Sequence, residues 1–255
     1  MRYELLGSLR VIGPAGPQML TARKIELLLA VLLVRADHVV STDQLIGEVW
    51  GERAPHRATA GLHVYVSELR KFLARQRPGT ETIVTRSPGY LLRQGDDEFD
   101  FQDFLALVEV GRGYHAAHRY EEEAEVLQRA LGLWRGPLLG EPGDGIIVGS
   151  FAAWLAEVRM ECTEMLIDVQ LELGHHRRLI GRLRQLVADS PLHEAFYRQL
   201  MLALYRSDRT ADALHAYRQA RATLNAELGL EPCRALQELQ HAILVGDERV
   251  LSARV

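Results

Sequence analysis

Four positions toward the C-terminal end of the chain recur at a constant offset of 34 residues: Gly174, Ile180, Leu183 and Leu186 return as Asp208, Leu214, Tyr217 and Ala220. A repeat of that length is one helical hairpin, the period of tetratricopeptide-type arrays. A lone hairpin cannot cover its own apolar face, so successive hairpins must stack and leave a concave surface for partners. Ser190-Pro191 and Glu231-Pro232 each place a proline where a helix of such an array would begin.

Nothing from Phe101 onward reads as a strand. Phe104, Leu105 and Val108 open one helix, and Tyr120, Ala124, Leu127, Ala130, Leu131 and Trp134 mark the next. The Gly/Pro-rich stretch from Gly136 to Gly149 reads as a loop, followed by a long helix from about Phe151 to Leu173. The glutamates at 121–123 read as a solvated helix face.

The first 95 residues follow a different pattern. Tyr3 to Ile12 reads as a strand, Gly13 to Pro17 as a turn and Gln18 to Leu20 as a second strand. Ile25, Leu28, Leu29, Leu32 and Leu33 then recur at helical spacing. Ser41 stands three residues before Gln44, a capping box that opens a helix carrying Leu45, Ile46, Val49 and Trp50, and Gly51 closes it. A third helix bears the stripe Leu62, Val66, Leu69 and Leu73. Thr82–Thr85 and Tyr90–Leu92 flank the tight turn Arg86-Ser-Pro-Gly89 and form a hairpin, with Tyr90 in its packing. The expected fold is mainly α: an N-terminal winged helix-turn-helix of α+β type over 1–95, then an all-α, tetratricopeptide-like domain over 100–250. The acidic run Gly95 to Glu98 marks the boundary.

Charge divides along the same line. Residues 1–95 hold 13 basic and 8 acidic side chains, a net of +5, whereas 96–255 hold 17 and 26, a net of -9. A basic module beside an acidic one suits a polyanion reader joined to a partner-binding domain. If the third helix enters a major groove, its sequence reading falls to the polar face opposite the stripe. Thr59, His63 and Ser67 are expected nearest the bases, Arg70 and Lys71 nearer phosphates, and Arg57 and Arg86 as further phosphate contacts. Glu68, in the same helix, is expected to point sideways. The same face reads equally as a solvated helix surface.

Other functions find little support. Neither Lys24 nor Lys71 sits in a phosphate-binding loop, no dinucleotide fingerprint or nucleophile elbow occurs, and His175-His176 diverge by about 100° on a helix. Cys162 and Cys233 have neither disulfide nor metal-ligand spacing. No enzyme, metal or cofactor is expected, and with neither a membrane-length apolar run nor a signal-peptide core the expected location is the cytoplasm. The rival reading is a tetratricopeptide-like adaptor whose N-terminal domain meets protein rather than DNA. The unmatched cations Arg57, Arg70, Lys71, Arg75, Arg77 and Arg86 favour DNA.

Leu5-Leu-Gly-Ser-Leu9, the leucine-rich first helix, Val49-Trp-Gly51, His63 to Lys71 and Thr85-Arg-Ser-Pro-Gly-Tyr-Leu91 together resemble the OmpR/PhoB-type winged helix of the Streptomyces antibiotic regulatory protein family. Tyr120 to Ala130 followed by Leu131-Gly-Leu-Trp-Arg-Gly-Pro-Leu138 resembles that family's bacterial transcriptional activation domain. The resemblance spans nearly the whole chain, and without an ATPase module it points to the small class. It implies an activator that binds double-stranded DNA at direct repeats upstream of antibiotic and other secondary-metabolite genes. It also implies two side-by-side protomers there and engagement of RNA polymerase holoenzyme through the sigma factor and other subunits.

Overall fold

The structure, a computed structural model, describes residues 1–140 and 145–247. They form two compact units, one of Met1–Val108 with Arg129–Arg159, the other of Glu109–Gln128 with the described residues from Met160 onward. Residues 129–159 thus fold with the head of the chain although they follow Gly95 in sequence.

In chain order the elements begin with strands β1 (Arg2–Glu4), β2 (Arg10–Gly13) and β3 (Gly16–Gln18), then helix α1 (Arg23–Val34), strand β4 (Val40–Ser41) and helix α2 (Thr42–Trp50). A single 3-10 turn, Gly51–Arg53, leads to α3 (Ala58–Gln76), the hairpin β5 (Ile83–Arg86) and β6 (Gly89–Leu92), and the short β7 (Glu98–Phe99). Helices α4 (Asp100–Ala116), α5 (Tyr120–Gly132), α6 (Ile146–Glu172), α7 (His176–Asp189), α8 (Glu194–Tyr205), α9 (Thr210–Leu228) and α10 (Arg234–Val245) follow. None of the described helices is long and apolar enough to cross a membrane.

Two small sheets flank the first three helices. One has the order β3-β2-β1-β7, with β1 antiparallel to β2 and parallel to β7; the other has the order β4-β6-β5. The strand expected over residues 3–12 is therefore two strands. It breaks at Leu5 because the Leu5 and Leu6 N–H groups donate to the Asp100 carboxylate, at 2.7 and 3.0 Å, instead of to a neighbouring strand. Arg135 binds the same corner: its N–H donates to the Leu6 carbonyl at 2.7 Å and its guanidinium to the Ser8 carbonyl at 3.1 Å. Burial pushes the Asp100 carboxyl above the usual range, against the opposing pull of the two N–H groups and of Arg135.

The capping box of α2 forms as the residues indicate, with the Gln44 N–H donating to Ser41 Oγ and the Ser41 N–H to Gln44 Oε1. Helix α3 contains several poor helix formers, each costing up to about 1 kcal/mol, but burial of Leu62, Val66, Leu69 and Leu73 contributes about 1.5–3 kcal/mol apiece and prevails. Helix α6 starts at Ile146, inside the stretch expected to be a loop; residues 141–144 of that stretch lie outside the described residues. The buried carboxylate of Glu48, on α2, accepts from the N–H groups of Ile147 at 2.6 Å and Val148 at 3.3 Å, capping α6 from a hundred residues away.

The second unit is built of hairpins whose turns are alike. His118, Gly174 and Asp208 all have positive φ, and in each case the next helix begins two residues later, at Tyr120, His176 and Thr210. The N–H groups of Arg119, His175 and Arg209 reach back to the carbonyls of Tyr114, Gln170 and Leu204, closing three Schellman-type turns. The repeat read at Gly174 and Asp208 thus has a third copy at His118. Leu179, Leu183 and Val187 of α7 pack with Phe196, Leu200 and Leu204 of α8 and with the small Ala213, Ala216 and Ala220 of α9, while α10 adds Leu236, Leu239 and Ile243. Pro191 and Pro232 lie ahead of the caps of α8 and α10 rather than in their first turns; α10 starts where the Cys233 N–H donates to Glu194, at 2.6 Å.

Glu123 departs from the solvated face expected for 121–123. It is fully buried, and His115 Nδ1, on α4, donates to its carboxylate at 3.1 Å. Burial holds the Glu123 carboxyl above its ordinary value, His115 opposes that shift and Asp168 adds to it. Two outcomes follow. Glu48→Ala should lower stability by about 1–3 kcal/mol in urea unfolding, through two uncapped N–H groups; a loss under about 0.5 kcal/mol would remove the capping role. A carboxyl with a raised folded-state value contributes stability that is full below its ordinary value of 4.5 and fades as pH rises through the raised one. Glu123→Gln should therefore flatten the fall in stability on going from acid to mildly alkaline pH, and an unchanged pH profile would contradict the burial argument.

Candidate nucleic-acid interface

Helix α3 turns Ala58, Leu62, Val66, Leu69 and Leu73 inward, so period alone decides which side chains meet solvent. Thr59, His63, Ser67 and Lys71 are exposed, as are Arg57 just before the helix and Arg86 at the tip of the β5–β6 wing. At about 100° per residue, the arc farthest from the core is centred on Ala60, Val64, Ser67 and Lys71, with Val64 54% exposed. Thr59 and His63 lie on the edge toward the wing, and Glu68 is exposed on the opposite edge.

Arg70 is placed differently from its neighbours. Its Nε donates to the Ile83 carbonyl and its Nη2 to Thr85 Oγ1, both at 2.9 Å, and the guanidinium stands 5.8 Å from the centre of the Tyr90 ring. The His63 ring meets the same tyrosine edge-on at 6.5 Å. Arg70 thereby braces the wing against α3, a role that helix periodicity could not disclose because its partners lie on another element.

The wing is held at its base as well. Strand β6 pairs with β4 through Val40↔Tyr90 and Ser41↔Gly89, and both the N–H and the hydroxyl of Thr42 donate to the Pro88 carbonyl at 3.1 Å. Gly89 packs directly on Val40, where a Cβ would overlap the carbonyl oxygen and stand 2.8 Å from Ser41 Cα. On the far side of α3, Tyr65 stacks on Trp50 at 5.4 Å, and Lys24 lies 5.2 Å over the Trp50 ring. This Lys24–Trp50–Tyr65 stack joins all three helices, and sequence spacing does not reveal it because each member comes from a different helix.

Among the described residues no group of three or more His, Cys, Asp or Glu side chains is placed to hold a metal ion. What the surface offers is hydrogen-bond donors, hydroxyls and guanidinium charge on a protruding helix and a neighbouring hairpin.

Residues 17–92 match the family model described as transcriptional regulatory protein, C terminal, and residues 99–244 match the bacterial transcriptional activator domain. The chain belongs to the Streptomyces antibiotic regulatory protein family. Regulatory protein DnrI of Streptomyces peucetius is 34% identical over 97% of the chain and 93% of the relative. Regulatory protein AfsR of Streptomyces griseus is 35% identical over 98% of the chain, which spans 25% of that longer relative. The solved structure of Mycobacterium tuberculosis EmbR in complex with a low-affinity phosphopeptide superposes with a TM-score of 0.88 at 33% identity, over 96% of the chain and 65% of EmbR. Like these family members, the chain is a transcription regulator with a DNA-binding winged-helix domain, and the matching relatives bear regulatory rather than enzymatic names.

The wing's dependence on Gly89 can be checked directly. Gly89→Ala should cost about 2 kcal/mol or more, because the obstructing atoms are backbone of the paired strand and cannot swing aside. Thermal unfolding at wild-type temperature would show that the β4–β6 approach is looser than described.

Proposed function

We propose that the chain is a sequence-specific transcriptional activator. Two protomers sit side by side on direct repeats upstream of antibiotic and other secondary-metabolite biosynthetic genes, and they recruit RNA polymerase holoenzyme through the sigma factor and other subunits. The observation that carries the DNA-reading part is the solvent face of α3, which presents Thr59, His63, Ser67 and Lys71 in one band beside the exposed wing cation Arg86. A helix of this exposure fits a major groove, and the wing hairpin supplies phosphate contacts beside it. Thr59, His63 and Ser67 act on bases; Arg57, Lys71 and Arg86 act on phosphates; Arg70 sets the angle between helix and wing.

Base contacts and phosphate contacts differ in what they do to specificity. Thr59→Ala and His63→Ala should change the ranking of binding sites, by about 1–3 kcal/mol at the affected base pair. Lys71→Ala, Arg86→Ala and Arg70→Ala should weaken binding to every duplex alike, the last by loosening the wing. Selection from a random duplex pool followed by gel shifts across a salt series measures both effects. Wild-type binding that does not weaken as salt rises, or five variants with one uniform loss, would overturn the reading. Point substitutions in the whole chain are the right tool, because the compact first unit extends beyond residue 100 and a cut there would remove Arg135 and the first half of α6 from it.

A further inference from the structure

Residues 175–184 run His-His-Arg-Arg-Leu-Ile-Gly-Arg-Leu-Arg, with no acidic residue until Asp189. They open α7, in the half of the chain whose net charge is -9. Arg177, Arg178, Arg182 and Arg184 are all exposed. Elsewhere in the second unit most described arginines reach carboxylates, among them Arg112 to Glu161, Arg119 to Glu122, Arg198 to Asp168, Arg221 to Glu231 and Arg234 to Glu238. Among the described residues, none of the four α7 guanidiniums has an ion pair. Arg178 and Arg182 are like charges one turn apart, an arrangement that weakens an isolated helix. Such a cluster, kept in an acidic domain with no ion pair of its own among the described residues, is suited to an external anion.

Its layout favours one kind of anion. At about 100° per residue, Arg177 and Arg184 form one row, on the flank where Arg184 shares a groove with Asp212 and His215 of α9, Arg178 and Arg182 form a second, and the exposed Gly181, Gln185 and Ala188 lie between them. A Cβ at Gly181 would meet nothing, so the floor between the rows is low. The first row extends about 10 Å along the helix and the second about 6 Å, together enough for two or three successive phosphates. A protein partner would need an apolar anchor, and none of the large exposed apolar side chains lies on α7. We propose that the outer face of α7 is a second phosphate-contacting surface whose partner is the backbone of duplex DNA. The inference rests on the reading above only in taking a duplex as the partner.

The test is fluorescence anisotropy of the full chain on a duplex several helical turns long, over a salt series, with all four arginines replaced by Ala and, separately, by Lys. The slope of log affinity against log salt changes by about 0.9 per phosphate contact, so the Ala variant should lose about 2–3 from that slope and at least about tenfold in low-salt affinity. The Lys variant should recover most of both and keeps the test open if the Ala variant folds poorly. A Lys71→Ala/Arg86→Ala variant is measured in parallel. If that variant loses binding and the α7 variant does not, the α7 proposal falls and the reading of α3 stands. The reverse result supports α7 and overturns the assignment of α3 and the wing. Wild-type chain that binds no duplex overturns both. An α7 variant with normal DNA binding that fails to stimulate transcription would identify an acidic protein as the partner and also overturn the proposal.

Discussion

The first unit depends on a carboxylate that does the work of a strand. Where β1 ends, the Leu5 and Leu6 N–H groups are buried, and a buried N–H without a partner costs about 1–3 kcal/mol. Asp100 satisfies both, and in doing so it decides where α4 starts, where β7 can lie alongside β1, and where Arg135 docks. The Phe99, Phe101 and Phe151 rings then pack in sequence, 5.6 and 5.1 Å apart, and Trp134 meets Phe104 at 5.5 Å. Glu48 repeats the device at the head of α6. In both places a buried acid is tolerated because backbone N–H groups from a distant segment solvate it.

That device marks the limit of what the residues alone disclose. Elements specified by neighbours in sequence were legible: the Ser41–Gln44 cap, the α3 stripe, the Arg86–Gly89 hairpin and the 34-residue repeat. Elements specified from far away were not. The end of β1 needs Asp100, the start of α6 needs Glu48, and the burial of Glu123 needs His115 from α4. The third hairpin turn is not legible from the repeat because His118 lies 56 residues before Gly174, off the 34-residue period that relates Gly174 to Asp208.

The candidate interface divides in the same way. Which α3 side chains face solvent follows from helical period, since Thr59, His63, Ser67 and Lys71 lie off the Leu62–Leu73 stripe. Period does not distinguish a cation free to meet a ligand from one already engaged, and Arg70 is engaged by Ile83 and Thr85 of the wing. Nor does it reveal that Lys24, Trp50 and Tyr65 converge, because tertiary packing of three helices brings them together.

The spacing of the three hairpin turns, 56 residues from His118 to Gly174 but 34 from Gly174 to Asp208, has a consequence for how such proteins can be recombined. The surplus chain lies between the first two hairpins, and residues 129–159 from that region fold with the winged helix rather than with the array. The compact unit that carries the reading helix is therefore not one contiguous stretch of chain. An exchange between relatives that keeps this unit whole takes two separate stretches of chain, spliced around a hairpin that stays behind.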